Sequence, residues 1–213
     1  MKARFSMSVA GVAVVMLAAG CSGGSTPVQP VGSGSSPAQS PAPGKTLPYG
    51  GAPKVEHPLP ASVLSTHPCD SALTPDQVAS LLGQKRQGAH RDDPSLGTEC
   101  QWSNDETGAL ATVLYATKLS DGLSAVFANS KPQATLWRPL PLVQGFPAVA
   151  HSTFKQESVV KSFCQVSVGI SDQKTVDASV SLGDSQVGKK DPCDAAAILA
   201  DMVVTNLKQK AGA

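Results

Sequence analysis

Two stretches near the C-terminal end of the chain alternate apolar and polar residues with the period of a β-strand. In FCQVSVGIS, one face carries Cys164, Val166, Val168 and Ile170 and the other carries Gln165, Ser167 and Gly169. In TVDASVSL, the corresponding sets are Val176, Ala178, Val180 and Leu182, and Asp177, Ser179 and Ser181. Successive side chains of a strand point to opposite faces, and the intervening SDQK is typical of a turn. The pattern predicts an antiparallel hairpin with one buried face and one face in water.

Two further stretches have the helical period and recognisable ends. In HPCDSALTPDQVASLLG, Thr74 and Gln77 form a capping box around Pro75, and Gly83 ends the helix. In DPCDAAAILADMVVTNLKQK, Asp191 is the N-cap and proline follows it at the first helical position. The predicted apolar stripe of this last helix consists of Ile198, Leu199, Met202, Val203 and Leu207.

The remaining periodic segments complete the expected fold. GALATVLYAT and GFPAVAHSTF are predicted strands, and SDGLSAVFANS is a predicted short helix. The fold class expected is α+β, an antiparallel β-sheet with helices packed mainly on one face. Residues 61–213, about 150 residues, have the usual size of one domain with its own core, so a single globular domain is predicted there.

The N-terminal residues have the pattern of a signal peptide. Lys2 and Arg4 precede an apolar segment from Met7 to Ala19, which is shorter than the roughly 20 residues of a membrane-spanning helix. The segment ends in LAAGC and so resembles the lipobox of bacterial lipoproteins, although Ala18 stands where leucine is usual. Residues 1–20 are therefore predicted to be a lipoprotein signal peptide, and Cys21 is predicted to carry lipid. The alternative is an ordinary secretory signal followed by an incidental cysteine.

Residues 21–60 change composition to proline, glycine, serine and alanine. Such a segment has few side chains large enough to form a core, so it is predicted to be a disordered tether beginning at the lipidated Cys21. As a partly extended coil it would reach on the order of 35 Å and hold a domain clear of the lipid headgroups. Its Thr-Pro and Ser-Pro pairs leave O-glycosylation open.

Four cysteines remain after Cys21 is assigned to lipid, and outside the cytosol an even number indicates disulfides. Cys164 points to the covered face of its strand, where the last helix must lie, so it is predicted to pair with Cys193. By the same reasoning Cys100, in ECQW, is predicted to pair with Cys69. A zinc site is the alternative, but the chain has no Cys-x-x-Cys pair.

The same stretches, HPCDSALTPDQVASLLG, ECQW, GFPAV, FCQVSVGI and DPCDAAAILADMVVTNL, together resemble a family of secreted actinobacterial lipoproteins known only as a domain of unknown function. The resemblance covers most of Cys69 to Leu207 and includes all four of these cysteines. It implies the same fold and location as the residues do, and it supplies no catalytic residues.

Charge and composition exclude several functions. A formal net charge of +1 and the lack of a Lys/Arg run argue against a nucleic-acid partner. The histidines show no metal-binding spacing, and no Gly-x-Ser-x-Gly motif is present. The four histidines are His57, His67, His90 and His151. Neither a cofactor nor a metal is expected.

Three weak candidates for chemistry remain. Ser-x-x-Lys, a motif of penicillin-recognising enzymes, occurs at Ser152/Lys155, Ser158/Lys161 and Ser171/Lys174, none of them on a predicted helix. Asp92 and Asp93 could bind a cation, although a solvated loop explains them more simply. Trp102 and Trp137 could form a ligand floor, although packing in or beside the core is the usual role of tryptophan.

The sequence thus predicts a membrane-anchored extracytoplasmic lipoprotein. Its expected role is that of a non-catalytic binding or interaction module of the cell envelope, with an envelope protein, glycan or small molecule as its partner. The alternative is an accessory or sensor subunit that braces a membrane complex. A cell-wall hydrolase is disfavoured because no catalytic constellation stands out.

Overall fold

The computed structural model describes residues 45–213. Seven strands form one antiparallel sheet in the order β1-β2-β3-β7-β6-β5-β4. The strands are β1 (Ala89–His90), β2 (Thr98–Asn104), β3 (Ala109–Tyr115), β4 (Leu136–Pro139), β5 (Ala148–Ser152), β6 (Phe163–Gly169) and β7 (Thr175–Ser181). The helices are α1 (Pro68–Ser71), α2 (Pro75–Leu82), α3 (Gly122–Ala125), α4 (Glu157–Val160) and α5 (Pro192–Ala211). The predicted α+β class is confirmed.

One face of the sheet, called here the helix face, holds the core. It presents Cys100, Val113, Ala178 and Val166 in a cross-strand row, all of them fully buried. Helices α1 and α2 contact β2 and β3, and α5 lies along β6 and β7. Helices are therefore packed mainly on one face, as predicted.

The two disulfides attach helices to this face. Cys69 of α1 is bonded to Cys100 of β2 with a Cα–Cα distance of 5.0 Å, and Cys193 of α5 is bonded to Cys164 of β6 at 4.9 Å. Both predicted pairings are confirmed, and each links the start of a helix to a strand of the covered face.

The predicted helix ends are also confirmed. The Thr74 hydroxyl accepts from the Gln77 amide, and the Gln77 side chain accepts in return from the Thr74 amide. Gly83 ends α2 with a φ of 79°, a conformation that favours glycine. The Asp191 carboxylate accepts from the backbone of Cys193 and Asp194 at the start of α5.

The predicted apolar stripe of α5 is wrong at Ile198, which is 55 % exposed, and at Met202, which is partly exposed. The side chains that do pack on the sheet are Ala196, Leu199, Ala200, Val203, Val204 and Leu207. These six positions follow the helical repeat, in which residues three and four apart share a face. The sequence prediction counted only the larger apolar side chains. It omitted Ala196 and Ala200, whose small size allows the helix to approach the sheet closely.

Residues 45–60, predicted to belong to the disordered tether, pack against the domain. Val55 and Leu59 are buried, the Leu59 amide donates to the Ile170 carbonyl at 2.9 Å, and the Val55 amide donates to Asp172 at 2.9 Å. The predicted boundary at residue 61 is therefore too late, because the segment contains large apolar side chains among its prolines. The signal peptide, Cys21 and the rest of the predicted tether lie outside the described residues.

Candidate functional site

The second face of the sheet, called here the outer face, carries two polar rows across its central strands. The cross-strand register places one row at Glu99, Leu114, Asp177, Ser167 and Val149, and the next at Gln101, Thr112, Ser179, Gln165 and His151. Alternation within the strands puts these residues on the face that the sequence predicts to be in water.

That prediction is only partly right, because the chain between β3 and β4 returns over the outer face. Gly169 of β6 lies directly under Leu123 of α3, and a Cβ atom at residue 169 would stand 2.9 Å from a methyl of that leucine. Tyr49 holds α3 in place, since its amide donates to Ser124 at 2.9 Å and its hydroxyl donates to Asp121 at 2.8 Å. Ser167 is completely buried as a result.

Between this covering segment and the sheet lies a cleft of about 300 Å³, called here the outer-face cleft. Its apolar wall includes Leu96, Leu114, Leu119 and Val126, and its polar floor includes Glu99, Thr112, His151, Gln165, Asp177 and Ser179. Lys174 fixes the wall by donating from Nζ to the carbonyls of Thr117 and Leu119. The volume is at the lower end of the range for small-molecule sites.

Asp177 is the most unusual group on the floor of the cleft. Burial raises its pKa to about 6, and the neighbouring side chains of Ser167, Thr175 and Gln165 act in the lowering direction. The residue is partly exposed as a whole, but its Oδ1 atom is shielded from solvent and has no hydrogen-bond partner among the described residues. A shielded carboxylate oxygen without a partner is costly and requires an explanation.

His151 and Ser167 form a hydrogen-bonded pair, and Ser167 lies opposite Asp177 on the neighbouring strand. His151 is 6 % exposed, and its Nε2 lies 2.9 Å from the Ser167 hydroxyl oxygen. Burial lowers the pKa of His151 to about 4, so the imidazole is neutral at pH 7. The Gln165 side-chain amide donates to the same hydroxyl oxygen at 3.5 Å.

This order differs from that of a catalytic triad. In a triad the imidazole accepts the serine proton and a carboxylate orients the imidazole, whereas here the His151 side chain bonds to Ser167 and to no carboxylate among the described residues. Ser167 is also fully buried in the sheet. The arrangement therefore lacks the carboxylate that would orient the imidazole, and it does not prepare a nucleophile.

Glu99 adds a second acidic group at the edge of the cleft. Burial raises its pKa, and repulsion from Asp93, Asp92 and Asp177 acts in the same direction, while Arg91 opposes it. Within residues 45–213 no lysine or arginine lines the cleft. The electrostatic balance of the outer-face cleft is therefore acidic.

The predicted cation candidates, Asp92 and Asp93, are occupied by contacts within the protein. Asp92 accepts from His67 Nε2 at 2.8 Å and from the Glu99 amide at 2.9 Å, while Asp93 accepts from Ser95 and Leu96 in a local turn. These contacts lower the pKa of both carboxyls, the largest contribution to each coming from a side-chain hydrogen bond. The pair thus stabilises its own loop.

Ligand-type atoms of His67, Cys69 and His90 lie within 4.8 Å of one another. The Cys69 sulfur is in a disulfide, so it is not a thiolate ligand. The two imidazoles stack with ring centroids 3.7 Å apart, and His67 Nδ1 accepts from the Cys69 amide. The cluster fixes the start of α1.

The Ser-x-x-Lys copies do not join into a site. Ser152 is buried on β5, and Ser171 accepts from the backbone of its turn. Ser158 does lie on a helix, α4, contrary to the prediction, but Lys161 pairs with Glu157. The contacts of these serines and lysines are therefore structural.

The tryptophans have the predicted packing roles. Trp102 is 2 % exposed in the core, and Trp137 meets Phe127 edge to face on the outer side, with ring centroids 5.0 Å apart. The titratable residues that line the cleft, Asp177, His151 and Glu99, were not among the predicted site residues. One sequence feature does point to the cleft. The segment after β3 contains the apolar residues Leu119, Leu123 and Val126, and such side chains usually pack against another surface.

The fold and the cleft define a disulfide-linked α+β domain with an acidic pocket on the less covered face of its sheet. The chain belongs to the family described as "Protein of unknown function (DUF3558)", whose family model matches residues 16–206. The predicted resemblance to a domain family of unknown function is thereby confirmed. No curated protein and no solved structure matches the chain. Among residues 45–213, no helix is both long and apolar enough to cross a membrane.

Proposed function

We propose that this protein is an extracytoplasmic lipoprotein whose domain binds a small ligand in the outer-face cleft without turning it over. The observation that carries the proposal is Asp177, a partly exposed carboxylate that lines a cleft of about 300 Å³ and whose pKa is raised to about 6 by burial. A ligand that donates to the Asp177 carboxylate would offset the cost of its desolvation.

The absence of turnover is supported by the environment of His151 and Ser167. His151 has its pKa lowered to about 4 by burial, so it is a weak base, and the serine beside it is enclosed in the sheet. General acid–base catalysis works best with a pKa near the working pH. The His151–Ser167 pair is therefore poorly suited to proton transfer.

Location outside the cytosol is supported by the two disulfides, since such bonds persist in oxidising compartments. Attachment through Cys21 is supported by the LAAGC sequence. In cells supplied with an alkyne fatty acid, the wild-type chain should become labelled and should fractionate with membranes. Cys21→Ala should be unlabelled, and equal labelling of both chains would contradict the anchor.

Ligand binding in the cleft can be tested with a substitution that fills the cleft with a larger side chain. Ser179 lies on the floor in β7, so Ser179→Phe should place a ring in the cleft, whereas Ser103→Phe makes the same change on the outer face beyond the cleft. Native mass spectrometry of the full-length protein, purified from membranes, should show a small-molecule adduct on wild type and Ser103→Phe. Ser179→Phe should lack it. Equal adducts on all three chains, or no adduct on any, would contradict the proposal.

A second candidate, an accessory subunit that braces a membrane complex, is favoured by one surface. Leu142 is 67 % exposed and Ile198 is 55 % exposed, and with Met202 they border a groove between α5 and the β4–β5 connection. Exposed apolar patches of this kind can mark protein interfaces. If this candidate is right, cross-linking in membranes should join the wild-type chain to a specific protein partner. Ile198→Lys should abolish that cross-linked product, while Ser179→Phe should not.

A further inference from the structure

The charges of the residues that line the outer-face cleft disfavour anionic ligands. Asp177 and Glu99 are the two carboxylates of its lining, and the histidine of the floor is neutral at pH 7 because burial lowers its pKa to about 4. An anionic ligand would meet two carboxylates in a shielded space and no compensating cation from the described lining. Such a juxtaposition is strongly unfavourable.

The Asp177 carboxylate in the lining of the cleft also favours a donor with positive charge. Burial raises the pKa of Asp177 to about 6, so the carboxyl is largely ionised at pH 7.4 and the folded domain bears the cost of its desolvation. A charged donor forms a stronger hydrogen bond with a carboxylate than a neutral donor does, and it neutralises the charge.

The carboxylates are placed unfavourably for one metal ion. Leu114 lies between Glu99 and Asp177 in the cross-strand row, so the two acidic residues are two strands apart, about 9–10 Å between backbones. The grouping of three metal-ligand side chains found in residues 45–213 lies elsewhere, at His67, Cys69 and His90. The apolar wall of Leu96, Leu119 and Val126 would also leave a hydrated metal ion poorly solvated.

We infer that the ligand is a small organic monocation, an ammonium group with an apolar body, whose nitrogen is held by Asp177 while its carbon chain lies against the leucine and valine wall. The inference rests on the proposed function of the cleft. A primary ammonium has three donors, and Gln165 and Ser179 on the floor provide further acceptors beside Asp177. Glu99 attracts the same cation from the edge of the cleft.

The test uses the full-length protein and four probes: hexylammonium chloride, the neutral 1-hexanol, sodium hexanoate and calcium chloride. Isothermal titration calorimetry at pH 7.4 should show hexylammonium binding at least tenfold more tightly than hexanol, with no detectable binding of hexanoate. Asp177→Asn should weaken hexylammonium binding at least tenfold. Asp105→Asn, an equivalent change at an exposed turn, should leave it unchanged.

The outcomes separate the inference from the proposed function. Hexanol or hexanoate binding as tightly as hexylammonium, with loss in Ser179→Phe, would overturn the cation inference and leave the cleft as a binding site. Calcium binding that is lost in Asp177→Asn would overturn it in favour of a metal, and the failure of every probe to bind would also overturn it. Hexylammonium binding that survives in Ser179→Phe would contradict the cleft itself, and with it the proposed function.

Discussion

Asp177 illustrates how one residue can oppose stability in a folded domain. Its carboxyl has an ordinary pKa of 3.8, and burial on the outer face raises the pKa to about 6. The ionised form therefore costs the folded state on the order of 1–3 kcal/mol above pH 6. That cost disappears below the ordinary pKa of 3.8, where the group becomes protonated in the folded and unfolded states alike. Residues kept at such a cost are characteristic of functional sites.

Asp177→Asn should therefore stabilise the protein at pH 8. The amide is close to the carboxylate in size and carries no charge, so we expect the melting temperature to rise by about 2–8 °C. The gain should shrink as the pH falls from 6 towards 4, because the wild-type carboxyl becomes protonated over that window. Differential scanning calorimetry across pH 4–8 measures both effects.

His151 acts in the opposite direction over nearly the same range, since burial lowers its pKa from 6.5 to about 4. The folded state prefers the neutral imidazole, so this contribution to stability is lost as the pH falls below 6.5. Asp177→Asn should consequently be more sensitive to acid than wild type, while Asp105→Asn should match wild type throughout. An unchanged melting temperature for Asp177→Asn at pH 8 would show that the carboxylate is not strained.

Among the elements, the ends of α2 and α5 were predictable because capping is local. Thr74 bonds to a residue three positions away, and Asp191 bonds to the amides that directly follow Pro192. The disulfides were predictable because strand alternation and helix position together decide which cysteines face each other. Inward and outward faces of β6 and β7 were likewise correctly assigned.

The cleft could not be predicted in the same way. Alternation placed Asp177 on the outer face, but whether that face is wet depends on where the segment after β3 returns. That path is set by tertiary contacts such as Leu123 on Gly169 and Tyr49 on α3, which lie far apart in sequence. The local pattern of apolar and polar residues does not show which residues distant in sequence will contact each other.

Helix α5 provides a direct comparison of two neighbouring large residues. Leu199 is fully buried against the sheet, whereas Ile198 is mostly exposed. Leu199→Ala should lower the free energy of unfolding by about 2–5 kcal/mol, because it removes buried methyl groups and leaves a cavity. Ile198→Ala should change it by less than about 1 kcal/mol, since alanine is a good helix former and little is unburied. Urea denaturation measures both, and equal losses would show that the stripe runs as the sequence predicted.

At the scale of the whole molecule, the folded domain begins earlier than its composition suggests. Val55 and Leu59 are buried among prolines and polar residues, and the Leu59 amide pairs with Ile170 just beyond β6. Low average hydrophobicity hides the two side chains, since a mean over the segment is dominated by its small and polar residues. Their burial adds residues 45–60 to the folded domain.

A chain that begins at residue 61 should accordingly be less stable than one that begins at residue 45. Burial of Val55 and Leu59 contributes roughly 1.5–3 kcal/mol each, and the entropy of ordering the segment offsets part of that gain. The shorter chain should unfold at a lower urea concentration. It should also bind ligands in the cleft more weakly, because Tyr49 no longer supports α3.

Point substitutions in the full-length chain provide the control. Leu59→Ala should reproduce the loss of stability, while Glu56→Ala, an exposed change in the same segment, should not. Equal midpoints for the chains beginning at residues 45 and 61 would mean that the segment rests on the domain without stabilising it.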